Sequence, residues 1–155
     1  MTPTHLHLLI NHVPLFGSVI AVVLLAWALV ARSRDLTRAG LLLTVVCGVA
    51  AFLADQTGDR TKDQLEQLPW FTEDLVEEHE EAAEKTLIIL GLAGAVALVG
   101  LIRMRGGRTV RLESGLALAL VTFGGMAAAW TALEGGKIRH EEVRPGFVFP
   151  AAHDD

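Results

Sequence analysis

The stretch TLIILGLAGAVALVGLI, residues 86–102, contains no charged side chain. A helix of a soluble four-helix bundle needs a polar face that recurs about every 3.6 residues, and this stretch has none. Three more apolar runs, nearly free of charge, occupy residues 8–31, 39–54 and 115–133. Because roughly 20 helical residues cross a hydrocarbon core of about 30 Å, each run is at or just below the length of a spanning helix. The sequence therefore predicts four transmembrane helices.

The fold class predicted for residues 1–155 is a single all-α membrane domain, a four-transmembrane-helix bundle. The predicted helices and the extended tail cover residues 5–31, 38–57, 73–103, 113–135 and 141–155. Residues 1–7 carry no Lys or Arg, so we expect the first helix to remain in the mature protein and not to be a cleaved signal peptide. Cys47 is the only cysteine, which excludes a disulfide framework, and no basic surface indicates a nucleic-acid partner.

The arginine-rich loops predict the orientation. The two short loops hold seven arginines: Arg32, Arg34, Arg38, Arg103, Arg105, Arg108 and Arg111. The longer segments at the other end hold six basic residues: Arg60, Lys62, Lys85, Lys137, Arg139 and Arg144. Since Lys and Arg in short loops favour the cytoplasmic side, we expect both termini on the outer, periplasmic side of a bacterial cytoplasmic (inner) membrane. All six histidines then belong to the outer half.

Glycines predict where two of the helices end. Gly58, between Thr57 and Asp59, is expected to supply a left-handed cap that ends the second helix. Gly135 and Gly136 are expected to redirect the chain after the end of the fourth helix. Between the second and third helices, residues 56–72 combine apolar and polar side chains around Pro69, and this pattern predicts a short interfacial helix at headgroup depth.

Small and polar residues mark the faces on which membrane helices pack. At 100° per residue, the second helix aligns Thr44, Gly48, Ala51 and Asp55, and the fourth aligns Ala117, Gly124, Ala128, Thr131 and Gly135. Both stripes are predicted to face inward, although each could serve close packing and nothing more. A lone carboxylate is costly at this depth, so we expect Asp55 to bond a histidine or a basic residue.

Histidines lie on two of the predicted helices. On the third helix, His79 faces away from the acidic side formed by Glu77, Glu80, Glu81 and Glu84. It is therefore expected to point into the bundle, as a ligand or as a hydrogen-bonded core histidine. On the first helix, His7 and Asn11 share one face and His12 lies nearly opposite. Pro14 either kinks this helix or marks its regular start, and one of the two histidines should face inward.

Several short motifs carry a resemblance. They are HLHLLINHVP at 5–14, TGD at 57–59, His79 in an acidic helix start, and GKIRH at 136–140. Together they resemble a widespread family of small, uncharacterised four-helix bacterial membrane proteins, a domain of unknown function. Related domains occur joined to Rieske iron–sulfur domains, so the resemblance implies redox chemistry in a membrane. The family's pattern falls here on His12, Val13, Pro14, His79 and His140.

The leading hypothesis is a membrane-bound b-type cytochrome-like electron-transfer protein with one haem b, or two. Haem iron accepts two imidazoles from facing helices, and non-covalent haem needs no C-x-x-C-H motif. The candidate ligands are a pair among His7, His12, His79 and His140. Asn11 and Asp55 are candidates to orient them, as groups behind metal ligands commonly do. A quinone or a redox protein would be the electron-transfer partner.

Two other classes stay open. Three histidines with Asp55 or a glutamate could hold copper or zinc. Alternatively, the chain is a cofactor-free accessory subunit of a membrane complex, with hydrogen-bonded or proton-sensing histidines. The lipid bilayer is a partner in every case, and a homo-oligomer or larger complex is compatible with each. No phosphate loop, nucleophile elbow or H-E-x-x-H motif occurs, so a carrier or subunit is favoured over a stand-alone enzyme.

The arginine-rich loops generate the first testable prediction. A reporter that is active only after export, fused after Asp155, should be active because the C terminus lies outside. Activity of a cytoplasm-only reporter at the same position would contradict the orientation.

Overall fold

The computed structural model describes residues 2–149, and its helices confirm the all-α prediction. The elements are α1 (Pro3–Ile10), α2 (His12–Ala31), α3 (Arg34–Leu65), α4 (Glu73–Arg105), α5 (Arg111–Arg139) and a 3-10 turn (Glu141–Val143). Taking α1 and α2 together as the segment Pro3–Ala31, four helical segments are long and apolar enough to cross a membrane. The described residues therefore indicate a multi-pass membrane protein.

The four segments form a closed bundle. α3 packs on α2 and α4, and α5 packs on α4 and α2. One end of the bundle, called here the histidine end, carries His5, His7, His12, His79 and His140. The opposite end, called the arginine end, contains the α2–α3 and α4–α5 loops, where the Arg34 guanidinium donates to the Met104 carbonyl at 2.6 Å.

The small-residue stripes face inward, as predicted. Their buried members are Thr44, Gly48, Ala51, Ala117, Gly124 and Ala128. Leu90 of α4 is fully buried, and its carbonyl oxygen lies 2.8 Å from where a Cβ on Gly48 would stand. Large apolar side chains such as Trp27, 67% exposed, point outward instead. Close approach of the helix backbones therefore stabilises the interior of the bundle. Bulky side chains cover the surface that lipid would contact.

The predicted end of the second helix at Gly58 is wrong. Gly58 lies inside α3 and is not among the glycines with positive φ in residues 2–149. The helix continues because Thr61 is buried against the bundle and Lys62 pairs with Glu80 of α4 at 2.8 Å. Residues 56–65 therefore belong to α3, and the described chain has turns, not a separate interfacial helix, between Leu65 and α4.

The predicted redirection at Gly135 and Gly136 is also wrong, because α5 continues to Arg139. Two contacts stabilise this last turn. The Arg144 guanidinium donates to the carbonyls of Lys137 and Ile138 at 2.8 and 3.2 Å, which satisfies groups that a helix end leaves unpaired. The Arg139 guanidinium lies 4.0 Å from the centre of the Trp70 ring, a cation–π contact.

Pro14 breaks the first span at Asn11. Proline has no N–H to give to the carbonyl four residues earlier, so α1 ends at Ile10 and α2 begins at His12. Within residues 2–149, α1 packs mainly on α3, whereas α2 packs on both α3 and α5. The first span therefore packs beside α5 mainly along α2, and its α1 part, at the histidine end, packs on α3 instead.

The approach of α3 to α4 at Gly48 yields a stability prediction. Gly48→Ala should destabilise the protein by about 1–3 kcal/mol, because the added methyl meets a backbone carbonyl that cannot turn aside. Thermal unfolding in detergent measures the effect. Gly91→Ala is the matched control, since nothing lies within 4 Å of its Cβ position. Equal melting temperatures for the two variants would contradict the predicted packing.

Candidate functional site

His7 is held by the end of α3. Its Nδ1 lies 2.9 Å from the Ala54 carbonyl oxygen and 3.4 Å from the Thr57 hydroxyl. Because a carbonyl only accepts, Nδ1 carries the proton in this bond and Nε2 keeps its lone pair when the ring is neutral. A Cβ on Gly58 would stand 3.3 Å from His7 Cε1, so the glycine lets the half-buried ring lie against α3.

His79 is held in the same way by α5. Its Nδ1 lies 2.9 Å from the Thr131 carbonyl oxygen, and the ring is half-buried. A Cβ on Gly135 would stand 3.0 Å from His79 Cε1, so this glycine also makes room for a ring. The predicted inward direction of His79 is confirmed: Ala82, one turn along the same face, is buried. Below the ring, the hydroxyls of Thr86 and Thr131 lie 2.9 Å apart.

The two histidines have the same construction. Each lies near the start of a span, bonds a carbonyl near the end of the next span, and faces a glycine one turn beyond that carbonyl. A carbonyl on Nδ1 fixes the tautomer and leaves Nε2 able to bind a metal, which is how metal-binding histidines are usually supported. The pair can therefore present two neutral imidazole donors.

The carboxylates near these two histidines are held in ion pairs with lysines. Lys137 contacts the buried Glu134 at 2.5 Å and Glu78 at 3.8 Å, and Lys62 contacts Glu80 at 2.8 Å. A carboxylate already paired with an ammonium group is a poorer additional ligand for a metal ion. The donors that the geometry leaves available here are thus the two imidazole nitrogens.

Asn11 and Asp55 differ in their contacts. Asn11 Oδ1 is buried and has no hydrogen-bond partner among the described residues, although buried polar atoms normally have one. The carboxylate of Asp55 is half-buried and accepts from the Gln56 side chain at 3.3 Å. The described contacts of Asp55 do not include the expected bond to a histidine. His7 bonds the main-chain carbonyl of the preceding residue, Ala54, so the carboxylate is not needed there.

His12 and His140 lie on the surface of the described chain. His12 bonds the Leu8 carbonyl of its own span at 3.1 Å and stacks on the exposed Phe16. His140 bonds Glu142 at 2.8 Å. The Glu142 backbone N–H, and then this histidine, hold the pKa of the Glu142 carboxyl below its usual range. The structure therefore supports His7 and His79 in the same way at the histidine end and leaves His12 and His140 at the surface. His153 lies outside the described residues.

Sequence reasoning missed the groups that hold the rings. The carbonyls of Ala54 and Thr131 have no side-chain signature, and both glycines were interpreted as helix ends. One signal was available, because Thr131 and Gly135 belong to the stripe that was predicted to face inward. A glycine on a packing face, one turn after a small or polar residue, is as consistent with close approach of a ring as with a helix cap.

Comparisons with family models, curated proteins and solved structures gave no match. The resemblance to the four-helix bacterial family stays a prediction.

The shared construction of the two histidines predicts their tautomers. In protein labelled with ¹⁵N at histidine, at about pH 8 where ordinary histidines are neutral, His7 and His79 should both carry the proton on Nδ1. The variants His7→Ala and His79→Ala assign the two signals. A proton on Nε2 of either ring would contradict the geometry.

A glycine pair provides the control for the position of the His79 ring. Gly135→Ala should shift the His79 signals because the added methyl would stand about 3 Å from the ring. Gly136→Ala should not shift them, since its Cβ position has nothing within 4 Å.

Proposed function

We propose that the protein is a membrane-bound, b-type cytochrome-like electron carrier in which His7 and His79 would hold one haem through Nε2. The observation that carries the proposal is the matched pair of Nδ1 bonds to main-chain carbonyls, each 2.9 Å long. Two imidazoles from different spans meet the ligand requirement of a six-coordinate haem iron. The resemblance to a family with redox relatives supports the same chemistry.

One feature of the chain leaves room for a flat macrocycle beside His79, since Ala82, one turn along the same face, is small. Gly58 and Gly135 admit the imidazole rings themselves. α1 packs mainly on α3, so it does not close tightly over α4 and α5. Bound haem would supply one-electron chemistry by alternating between its ferric and ferrous states.

The chain's own groups would orient the ligands and tune the site. The Ala54 and Thr131 carbonyls hold the two rings in the ligand tautomer, and such hydrogen bonds raise the basicity of the coordinating nitrogen. The lysine-bound carboxylates keep the nearby charge compensated. With the histidine end outside, as the arginine-rich loops predict, electrons would pass from a membrane donor such as a quinone to an acceptor beyond the outer surface.

Copper or zinc is the alternative that the geometry supports less. A copper or zinc site usually requires three or more protein ligands. Within residues 2–149, no group of three or more His, Cys, Asp or Glu side chains is placed to hold a metal ion. A haem iron requires no more than two protein ligands. A cofactor-free subunit would use the same Nδ1 bonds for packing alone.

Haem binding is tested by the absorption spectrum of protein expressed with sufficient haem and purified in detergent. The wild type should show Soret and α bands. His7→Ala and His79→Ala should each lose most of the bound haem, because either change removes one axial ligand. All samples should elute as folded protein in size-exclusion chromatography.

His12→Ala and His140→Ala are the matched controls, since both residues are exposed histidines at the same end. Their spectra should equal that of the wild type. Wild-type protein without haem would overturn the proposed function. Loss of haem in the controls, with retention in His7→Ala or His79→Ala, would overturn the ligand assignment.

A further inference from the structure

A cavity at the arginine end has no role in the proposed redox function. Its volume is about 270 Å³, and it lies between the α2–α3 loop and the α4–α5 loop. Four arginines line it: Arg32, Arg34, Arg108 and Arg111. The described residues that line it include no acidic side chain. Four positive charges with no opposing carboxylate in the same cavity give it a potential that favours an anion.

The guanidinium groups of this cavity are not neutralised elsewhere in residues 2–149. None of the four is in an ion pair among the described residues. Glu113, one of the two acids near this end, pairs with Arg103, which does not line the cavity. Arg34 donates to the Met104 carbonyl, which fixes its side chain at the cavity wall. The remaining donors of these arginines are available to a ligand.

The backbone of α5 adds to the positive potential. α5 begins at Arg111, and its N-cap residue, Val110, offers no side-chain oxygen to the first N–H groups. The unpaired N–H groups at a helix start favour an anion. Because Val110 and Ser114 also line the cavity, this helix start lies beside the arginines.

The rest of the lining is mixed. It combines the hydroxyl residues Ser33, Thr37, Thr109 and Ser114 with apolar residues, of which Leu29 is 39% exposed and Met104 and Val110 are buried. The arginines and hydroxyl groups suit a phosphate, and the exposed Leu29, in the last turn of α2, would contact the acyl carbons of an amphiphile. A free phosphate ion would use only the arginines and the hydroxyl groups. Arginine also binds phosphate oxygens in bidentate fashion, which suits it to this group.

We propose that this cavity binds the phosphate headgroup of an anionic phospholipid. The same arginines that predict the cytoplasmic orientation would thereby hold a lipid of the inner leaflet, where anionic headgroups attract basic segments near the membrane. The proposal does not depend on haem, since the cavity lies at the end of the bundle opposite His7 and His79.

The test measures, by native mass spectrometry, how strongly the full chain in detergent binds phosphatidylglycerol. Binding of phosphatidylcholine is measured in the same way for comparison. The wild type should prefer phosphatidylglycerol. Arg108→Gln with Arg111→Gln should weaken that binding roughly 10- to 30-fold, at about one kcal/mol for each arginine near the surface. Arg108→Lys with Arg111→Lys should retain part of the binding, because the charge remains while the bidentate geometry is lost.

The matched control is Arg38→Gln with Arg105→Gln, which removes two charges from the same end but outside the cavity. This variant should bind phosphatidylglycerol like the wild type. Equal weakening in both double variants, or no preference for phosphatidylglycerol in the wild type, would overturn the proposal. Displacement of the lipid by millimolar inorganic phosphate would assign the site to free phosphate and overturn the lipid as its occupant.

Discussion

The bilayer core offers the peptide backbone no hydrogen-bond partner, and this constraint governs the whole structure. Every spanning segment must satisfy its own N–H and C=O groups, so each is a helix. Because lipid provides little hydrophobic drive between helices, they associate where small residues let backbones approach. Gly48 against the Leu90 carbonyl is one such contact. Gly58 and Gly135 apply the same device at the histidine end, where the approaching group is an imidazole ring.

The proposed site depends on that approach. A side chain at position 58 or 135 would separate the ring from the carbonyl that fixes its tautomer. With glycine there, two histidines from different spans donate from Nδ1 to main-chain oxygens at the same distance, 2.9 Å. Main-chain carbonyls in a packed helix are rigid and uncharged, so they orient the rings without adding charge to the interior. The bundle thus combines the packing that stabilises it with the positioning that a ligand pair needs.

Local patterns in the sequence predicted the spans, the inward stripes and the direction of His79, since these follow from helical periodicity alone. The ends of α3 and α5 were not predictable in this way. A glycine that caps a helix and a glycine that admits a distant ring give the same local signal, and His7 is far in sequence from Gly58. The exposure of His12 and His140 likewise depends on tertiary placement: one stacks on Phe16 at the surface and the other follows α5 beside Glu142.

We infer that His7 and His79 would together hold one haem. Low-temperature electron paramagnetic resonance of the oxidised, purified protein tests this inference, because iron held by two imidazoles is low-spin in the ferric state. We expect a low-spin ferric signal from the wild type that is absent from both His7→Ala and His79→Ala. A high-spin ferric signal from the wild type, or no ferric haem signal after expression with sufficient haem, would contradict it.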